Sequence, residues 1–320
     1  MAPLVTVVIT TYNQEHYIRK AIDSVLAQKT DFDFEVYITE DCGTDGTRAI
    51  LQEYAAKYPE RIRLNLREKN VGISRNWYEG LCAAQGEFVC TLEGDDWWRD
   101  ESKLQKQADF LRAHPDYLAV SHTLLLTDDE GKTYGTLPDD KRILNADATM
   151  PLFLRGITYS CTACMVRNIF RTPDPAREAY VTANRSIADF ALCMLYLDGG
   201  RVFVTDEAMS AYRVGVAGSW TVEGKNGDYQ GKQRAYCDRM KRTYEQFDRA
   251  TGGRFKEAAE SAARRTYYQT MVNTKQFEEI FNPQYRRYYK ELTPRMRFFL
   301  RFEHTMPAVY EMARKTFTGK

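Results

Sequence analysis

Two hydrophobic periods alternate through the first hundred residues. Leu4 to Thr10 (Leu-Val-Thr-Val-Val-Ile-Thr) is a β-branched run of the kind seen in strands buried on both faces. Residues 16–28 then carry Tyr17, Ile18, Ala21, Ile22, Val25 and Leu26 at helical spacing. The alternation repeats: a strand over Phe34 to Thr39, a helix over Gly46 to Tyr58, a strand over Ile62 to Leu66, a helix over Ile73 to Ala84 and a strand over Glu87 to Leu92. Strands separated by helices in this order predict β-α-β units around a mainly parallel sheet. In such an open sheet, ligands sit beyond the carboxyl ends of the strands. The three polar segments expected at that rim are Thr10-Thr11-Tyr12-Asn13, Glu40 to Gly46, and Glu93-Gly94-Asp95-Asp96.

Beyond a helix from about Ser102 to Ala113 the pattern changes. A hairpin is expected across Asp128-Asp129-Glu130-Gly131, a strand over Cys161 to Val166, a helix over Ile187 to Leu197, and short strands over Val202 to Val204 and Met209 to Tyr212. From about Asp228 the chain reads as charged helices, broken near Thr251-Gly252-Gly253, Asn282-Pro283, Thr293-Pro294 and Met306-Pro307. The expected organisation is a catalytic α/β domain over residues 1–225 and a helical region over 226–320.

The fourth strand runs into Glu93, Asp95 and Asp96 and then Trp97 and Trp98. Carboxylates crowded at the end of a buried strand repel one another and lose hydration, so they need a cation or hydrogen-bond donors as compensation. Mg²⁺ suits that place, because it takes one or two carboxylates and completes its shell with water and phosphate oxygens. A polar turn capping the next helix is the competing reading of these acids.

Composition narrows the possibilities. The chain has 320 residues, 43% of them apolar, and a net charge of +1, so it is no general polyanion binder and no nucleic-acid partner is expected. No apolar stretch approaches the roughly 18 residues of a membrane span. Met1-Ala2-Pro3-Leu4 is unlike a secretory leader, and a cytoplasmic location is expected. The seven cysteines are scattered, and Cys161-x-x-Cys164 has no second pair at zinc spacing, so buried free thiols are expected.

Val7 to Asn13, Glu40-Asp41-Cys42-Gly43-Thr44-Asp45-Gly46-Thr47, Asn70-Val71-Gly72 and Glu93-Gly94-Asp95-Asp96 resemble, in order and spacing, the motifs of glycosyltransferase family 2. The resemblance covers roughly residues 4–220. It implies the GT-A fold, a Rossmann-like sheet flanked by helices, and an inverting enzyme of the surface-polysaccharide type that uses Mn²⁺ or Mg²⁺. By the same resemblance, Thr10, Tyr12, Asn13 and Asp41 would hold the nucleotide base, with Asn70, Arg75, Glu93 and Gly94 nearby. Asp95 would be the metal ligand, while Asp96, Trp97 and Trp98 would border the donor sugar and the acceptor entrance. Asp189 would be the catalytic base, and Arg213 would meet the diphosphate. The chain departs from the family pattern at Glu93, where Asp is commoner, at Ala188, where an acid is usual, and at Gly215, where His is frequent. The Q-x-x-R-W motif of processive synthases is missing from the downstream region, which favours transfer of a single sugar.

The reading at this point is transfer of a hexosyl or N-acetylhexosaminyl group from a nucleotide-diphosphate sugar, expected to be a UDP-sugar, to a carbohydrate or lipid-linked acceptor. A catalytically silent sugar-nucleotide binder is the alternative, favoured by the three departures. A dinucleotide oxidoreductase is excluded by the glycine-free Thr10 to Asn13 loop. From residue 281 onward Arg286, Arg287, Lys290, Arg295, Arg297, Arg301, Arg314, Lys315 and Lys320 face only three glutamates. Met296, Phe298, Phe299, Leu300 and Phe302 are interleaved with these cations, a mixture that suits an interfacial segment on a membrane, a dimer contact, or packing onto the catalytic domain.

Overall fold

The computed structural model describes residues 3–215 and 227–318. The expected domain division at 225/226 lies outside the described residues, as do the side chains of Arg314, Lys315 and Lys320.

Strands β1 (Val5–Thr11), β2 (Phe34–Glu40), β3 (Ile62–Leu66) and β4 (Phe88–Glu93) pair in parallel in the order β3-β2-β1-β4. β1 is buried at every position, because it is central and covered on both faces. Helices α1 (Ile18–Leu26), α2 (Thr47–Lys57) and α3 (Ile73–Cys82) make the crossovers. α1 buries Ile18, Ala21, Ile22 and Val25, the positions that the helical spacing assigns to one face.

The sheet then continues through β9 (Met165–Arg167), β6 (Tyr117–Thr127), β10 (Arg201–Arg213) and β5 (Trp97–Trp98). β9 is antiparallel to both β4 and β6, and it joins the parallel first half to the rest of the sheet. α4 (Lys103–Ala113) follows β5, and β6 pairs with β7 (Thr133–Leu137) in the hairpin expected across Asp128 to Gly131.

Two local expectations are corrected. Val202–Val204 and Met209–Tyr212 belong to a single strand, β10, whose pairing with β6 shifts register between Val204 and Ala208 and again before Ser210. Thr205-Asp206-Glu207 reads as a break in sequence, but a bulge absorbs these polar residues without ending the ladder. Cys161–Ala163 forms a 3₁₀ turn rather than strand, capped by the Ser160 side chain, which accepts the Thr162 N–H. Both cysteines are buried as free thiols.

One apolar cluster fills the side of the sheet covered by α1 and α4, with Val7, Ile9, Ile22, Phe88 and Leu104 among its members. The opposite side is closed by α3, by α6 (Pro175–Val181) and α7 (Asp189–Gly199), and by the helices Tyr229–Ala250 and Lys256–Asn273. Met240, Tyr244 and Phe247 share that core with Tyr180, Val181 and Leu192, so the first C-terminal helices are continuous with the α/β core. A third, smaller cluster gathers Tyr268, Met271, Ile280, Tyr288 and Leu300 near the end of the chain. Among the described residues, no helix is long and apolar enough to cross a membrane.

Candidate active site

A cleft of about 410 Å³ opens at the carboxyl ends of β1, β2 and β4. Its walls include Thr10, Tyr12 and Asn13 after β1, Asp41 after β2, Asn70 before α3, Glu93 and Asp95 after β4, and Asp189 at the start of α7. Eight of the side chains singled out in the sequence are thus brought together from five segments.

The rim is built by loops that tie one another down. Asn13, at φ 53°, accepts the Thr44 N–H through its side chain, while the Gln14 N–H is held by Thr47 and the Glu15 N–H by Asp45. Asparagine tolerates this left-handed geometry better than most residues. Thr10 is buried and accepts a hydrogen bond from the Trp77 indole. Tyr12 is about half exposed and stands at the mouth.

Asp41 is buried, and its two carboxylate oxygens accept the backbone N–H groups of Val71 and Gly72 at 2.8 and 2.9 Å. Asn70 returns a hydrogen bond to the Asp41 carbonyl. Gly72 has φ +88°, and a Cβ there would lie 2.9 Å from the Arg185 carbonyl, so the loop needs glycine at this point. Burial pushes the Asp41 carboxyl above its ordinary range, against the pull of those two N–H groups. Asp41→Ala leaves two part-buried donors unpaired and is expected to cost about 1 to 2 kcal/mol. Urea unfolding checks it, and a variant as stable as the parent would show that the loop is held by other contacts.

The carboxylates after β4 divide between two faces. Glu93 and Asp95 face the cleft, whereas Asp96 is buried and accepts the Arg213 N–H at 2.8 Å. Arg213 itself is buried. Its guanidinium donates to the Asp95 carbonyl at 2.8 Å and to Asp129 at 2.6 Å, and it lies over the rings of Tyr17 and Trp97. It therefore clamps the acidic turn to the end of β10. Gly94 lets that turn approach β1, since a Cβ there would lie 2.4 Å from Gln14 Oε1.

Several expected placements are corrected. Asp96, Trp97 and Trp98 line no part of the cleft. The tryptophans form the short strand β5 and are buried, with Lys20 Nζ 3.5 Å from the Trp97 ring and Lys103 Nζ 4.1 Å from that of Trp98. Large apolar surface at the sheet edge gains more from that burial than from exposure at a polar mouth. Arg75 pairs with Glu79 and Glu178 outside the cleft, and Arg213 and Gly94 likewise serve the turn from behind.

The same wall contains Gln14, Tyr17, Ile73, Asn76, Tyr212 and Ser186, together with Ser160 and Thr162, which the sequence did not single out. Tyr212 stands among the acids: Glu93, Asp96, Asp95 and Asp189 all add to burial in pushing its hydroxyl upward.

Crowding raises the whole acidic group. Burial, then the charges of Asp95 and Asp189, pushes Glu93 up to about 8. Asp95 is raised by burial and partly restored by its own backbone N–H and then by the Arg213 charge. Asp189 is raised by burial, against the pull of the backbone N–H groups of Phe190 and of Asp189 itself.

These carboxyls are easier to protonate in the folded chain than in the unfolded one. The stability that Glu93 contributes is present below its ordinary value of 4.5 and is lost as pH rises through about 8. A divalent cation held by these carboxylates would reverse that loss. Added Mg²⁺ is thus expected to raise the melting temperature more at pH 8.5 than at pH 6, and a shift that shrinks with pH would contradict the crowding.

The donor set fits a hard cation. Asp95 Oδ1, Gln14 Oε1 and Thr11 Oγ1 are buried, have no hydrogen-bond partner among the described residues, and belong to cleft-lining residues. No three His, Cys, Asp or Glu side chains converge as a ready-made ligand set among the described residues. A hard cation such as Mg²⁺ takes one or two carboxylates and fills its shell from water and substrate.

The model of the family described as "Glycosyl transferase family 2" matches residues 6–169. An uncharacterised protein of Mycobacterium tuberculosis is 34% identical over 241 residues, 74% of this chain and 62% of its own length, so the chain spans less than two thirds of that relative. The putative teichuronic acid biosynthesis glycosyltransferase TuaG of Bacillus subtilis is 42% identical over 109 residues, 34% of this chain and 42% of its own.

Among solved structures, residues 1–349 of TarS from S. aureus, in complex with UDP-GlcNAc, superpose with a TM-score of 0.51 at 18% identity, covering 99% of this chain and 92% of that one. The mannosyltransferase PcManGT of Pyrobaculum calidifontis, in complex with GDP-Man and Mn²⁺, gives 0.51 at 16%, covering 100% and 88%. At such identity these likenesses speak for the fold alone, which is GT-A. With the family model matching just over half of the sequence and the fold agreeing, the chain belongs to glycosyl transferase family 2.

Proposed function

We propose that the chain transfers a single sugar from a nucleotide-diphosphate donor, a UDP-sugar, to an acceptor hydroxyl with inversion at the anomeric carbon. The observation that carries the reading is the joint lining of one cleft by the β1 and β2 loops, by Asp95 and by Asp189. Tyr12 offers an aromatic face to the base, and Asp41, while holding the 70–72 loop, keeps acceptor capacity for a uracil N–H.

Asp189, at the first position of α7, removes the acceptor proton as the hydroxyl attacks. Its raised carboxyl holds a proton more readily than an ordinary aspartate, which suits a base working near neutral pH. Ser160, Thr162, Ser186 and Tyr212 are hydroxyl side chains placed to accept and donate to sugar hydroxyls.

Among the described lining residues there is no Lys, Arg or His, against four carboxylates, Asp41, Glu93, Asp95 and Asp189. A diphosphate entering this cleft therefore needs a counter-ion brought from solution. Asp95 would hold it, with Glu93 beside it, and when bound it supplies Lewis-acid stabilisation of the departing diphosphate. The acceptor is proposed to be a surface polysaccharide or glycoconjugate precursor, in line with the name of the TuaG relative.

A panel of nucleotide sugars tested by thermal shift with and without Mn²⁺ examines the reading. UDP-sugars are expected to raise the melting temperature only when the cation is present. A panel in which no nucleotide sugar shifts it would sink the proposal.

A further inference from the structure

We propose that the C-terminal helix Pro294–Thr305, with the start of the helix that follows it, docks the protein on an anionic lipid surface. The helix begins at Thr293, whose side chain accepts the Met296 N–H, with Pro294 at the first position, so its phase is set by a built cap. Leu300 points inward into the small cluster with Tyr268, Met271 and Ile280. At 100° per residue, the side opposite Leu300 carries Phe298 and Phe302, flanked by Arg295, Phe299 and Arg301.

That outward side is apolar and uncovered. Phe298 is 63% exposed and Phe299 42%, and the exposed apolar surface runs on through Met306 and Val309. Phe298 stacks on Phe302, which meets Tyr310 of the next helix edge-on, so the rings form a connected ladder. Scattered single apolar residues are ordinary on a surface, but a contiguous aromatic row marks an interaction site.

Charge decides which partner fits. Arg295 lies over the Phe299 ring and Arg301 over Tyr289, both exposed at the flanks of the row. Two carboxylates of this end are engaged by cations: Glu303 is held by Lys275 at 2.5 Å and Glu291 by Arg265 at 2.9 Å. A row of phenylalanines bordered by arginines, with Glu303 and Glu291 already paired to cations, is complementary to a layer that is apolar below and negative at its surface. A helix of this kind lies in the headgroup plane and does not span. The contact is independent of the chemistry proposed for the cleft.

Co-sedimentation of the full chain with sucrose-loaded vesicles tests it, using phosphatidylglycerol mixed equally with phosphatidylcholine against pure phosphatidylcholine. The chain is expected to pellet with the anionic vesicles at low salt and to be released at high salt, with little binding to neutral ones. Arg295→Gln together with Arg301→Gln is expected to weaken binding roughly 25-fold, about fivefold for each charge removed. Phe298→Gln together with Met306→Gln, both at exposed positions, should abolish it at any salt while leaving the melting temperature unchanged. A full chain that stays in the supernatant with anionic vesicles at low salt overturns the proposal. So does light scattering that shows a dimer dissolved by the phenylalanine and methionine changes with no vesicle binding, which would make this face a contact between copies.

Discussion

Asp189→Asn is expected to lower turnover by at least about two orders of magnitude while donor affinity persists. The amide keeps the size of the side chain and its place at the first turn of α7, but it cannot take a proton near neutral pH. A general base contributes typically ~10² to ~10⁴ in rate, so the loss should fall in that range. Binding should survive, because in the proposed reading the nucleotide base rests on the β1 and β2 loops, which the substitution leaves untouched. Single-turnover rates beside donor titration separate the two effects. Equal loss of affinity and rate would instead make Asp189 a structural residue of the helix start, where a carboxylate is stabilised by the helix dipole.

Asp95→Asn should remove cation-dependent turnover altogether and, with it, the melting-temperature shift caused by Mn²⁺ and donor. The amide preserves shape but not the charge that attracts the ion, and no cationic side chain among the described lining residues can replace it. The metal-free variant should be no less stable than the parent at pH 8. Deleting one charge from the group of Glu93, Asp95 and Asp96 relieves the repulsion that raises the other two. Turnover therefore falls while stability does not, which a merely unfolded variant could not show. Retained Mn²⁺-dependent turnover would refute the assignment.

Raised carboxyls also make a general statement about how the cleft is poised. Arg213 offers the buried turn one positive charge, and it is already shared among the Asp95 carbonyl, Asp129 and two aromatic rings. What compensation remains must come from protons or from a cation, so occupancy of the cleft and its protonation are linked.

Much of the frame is legible in sequence because it depends on local rules. The β-branched run of β1, the helical spacing of α1 and the polar segments after β1, β2 and β4 follow from which residues tolerate burial and which need water. Once the sheet is parallel, those segments must share a rim, and so the carboxylates Asp41, Glu93 and Asp95 meet there without any knowledge of packing. The Thr293-Pro294 start of the helix Pro294–Thr305 is likewise visible, because a capping side chain and an N1 proline act on their immediate neighbours.

What the sequence leaves open is which face each residue of an adjacent pair takes. Asp95 and Asp96 are neighbours in the turn between β4 and β5, and Tyr212 and Arg213 are neighbours in β10, where successive residues point to opposite sides. The tertiary structure turns Asp95 and Tyr212 to the cleft and joins Asp96 to Arg213 behind it. Trp97 and Trp98, next to the acids in sequence, go to the sheet edge because β10 is there to pair with them. Ser160, Thr162 and Ser186 reach the cleft only because β9 pairs with β4 and β6 and α7 packs against β6, contacts between segments about 45 to 80 residues apart that no local pattern encodes. The sequence by itself determined the alternation of elements, the rim and the acids upon it. The choice between neighbours, and hence which acid faces a ligand and which is paired with arginine, was made by long-range packing, because burial and charge pairing are properties of the assembled chain.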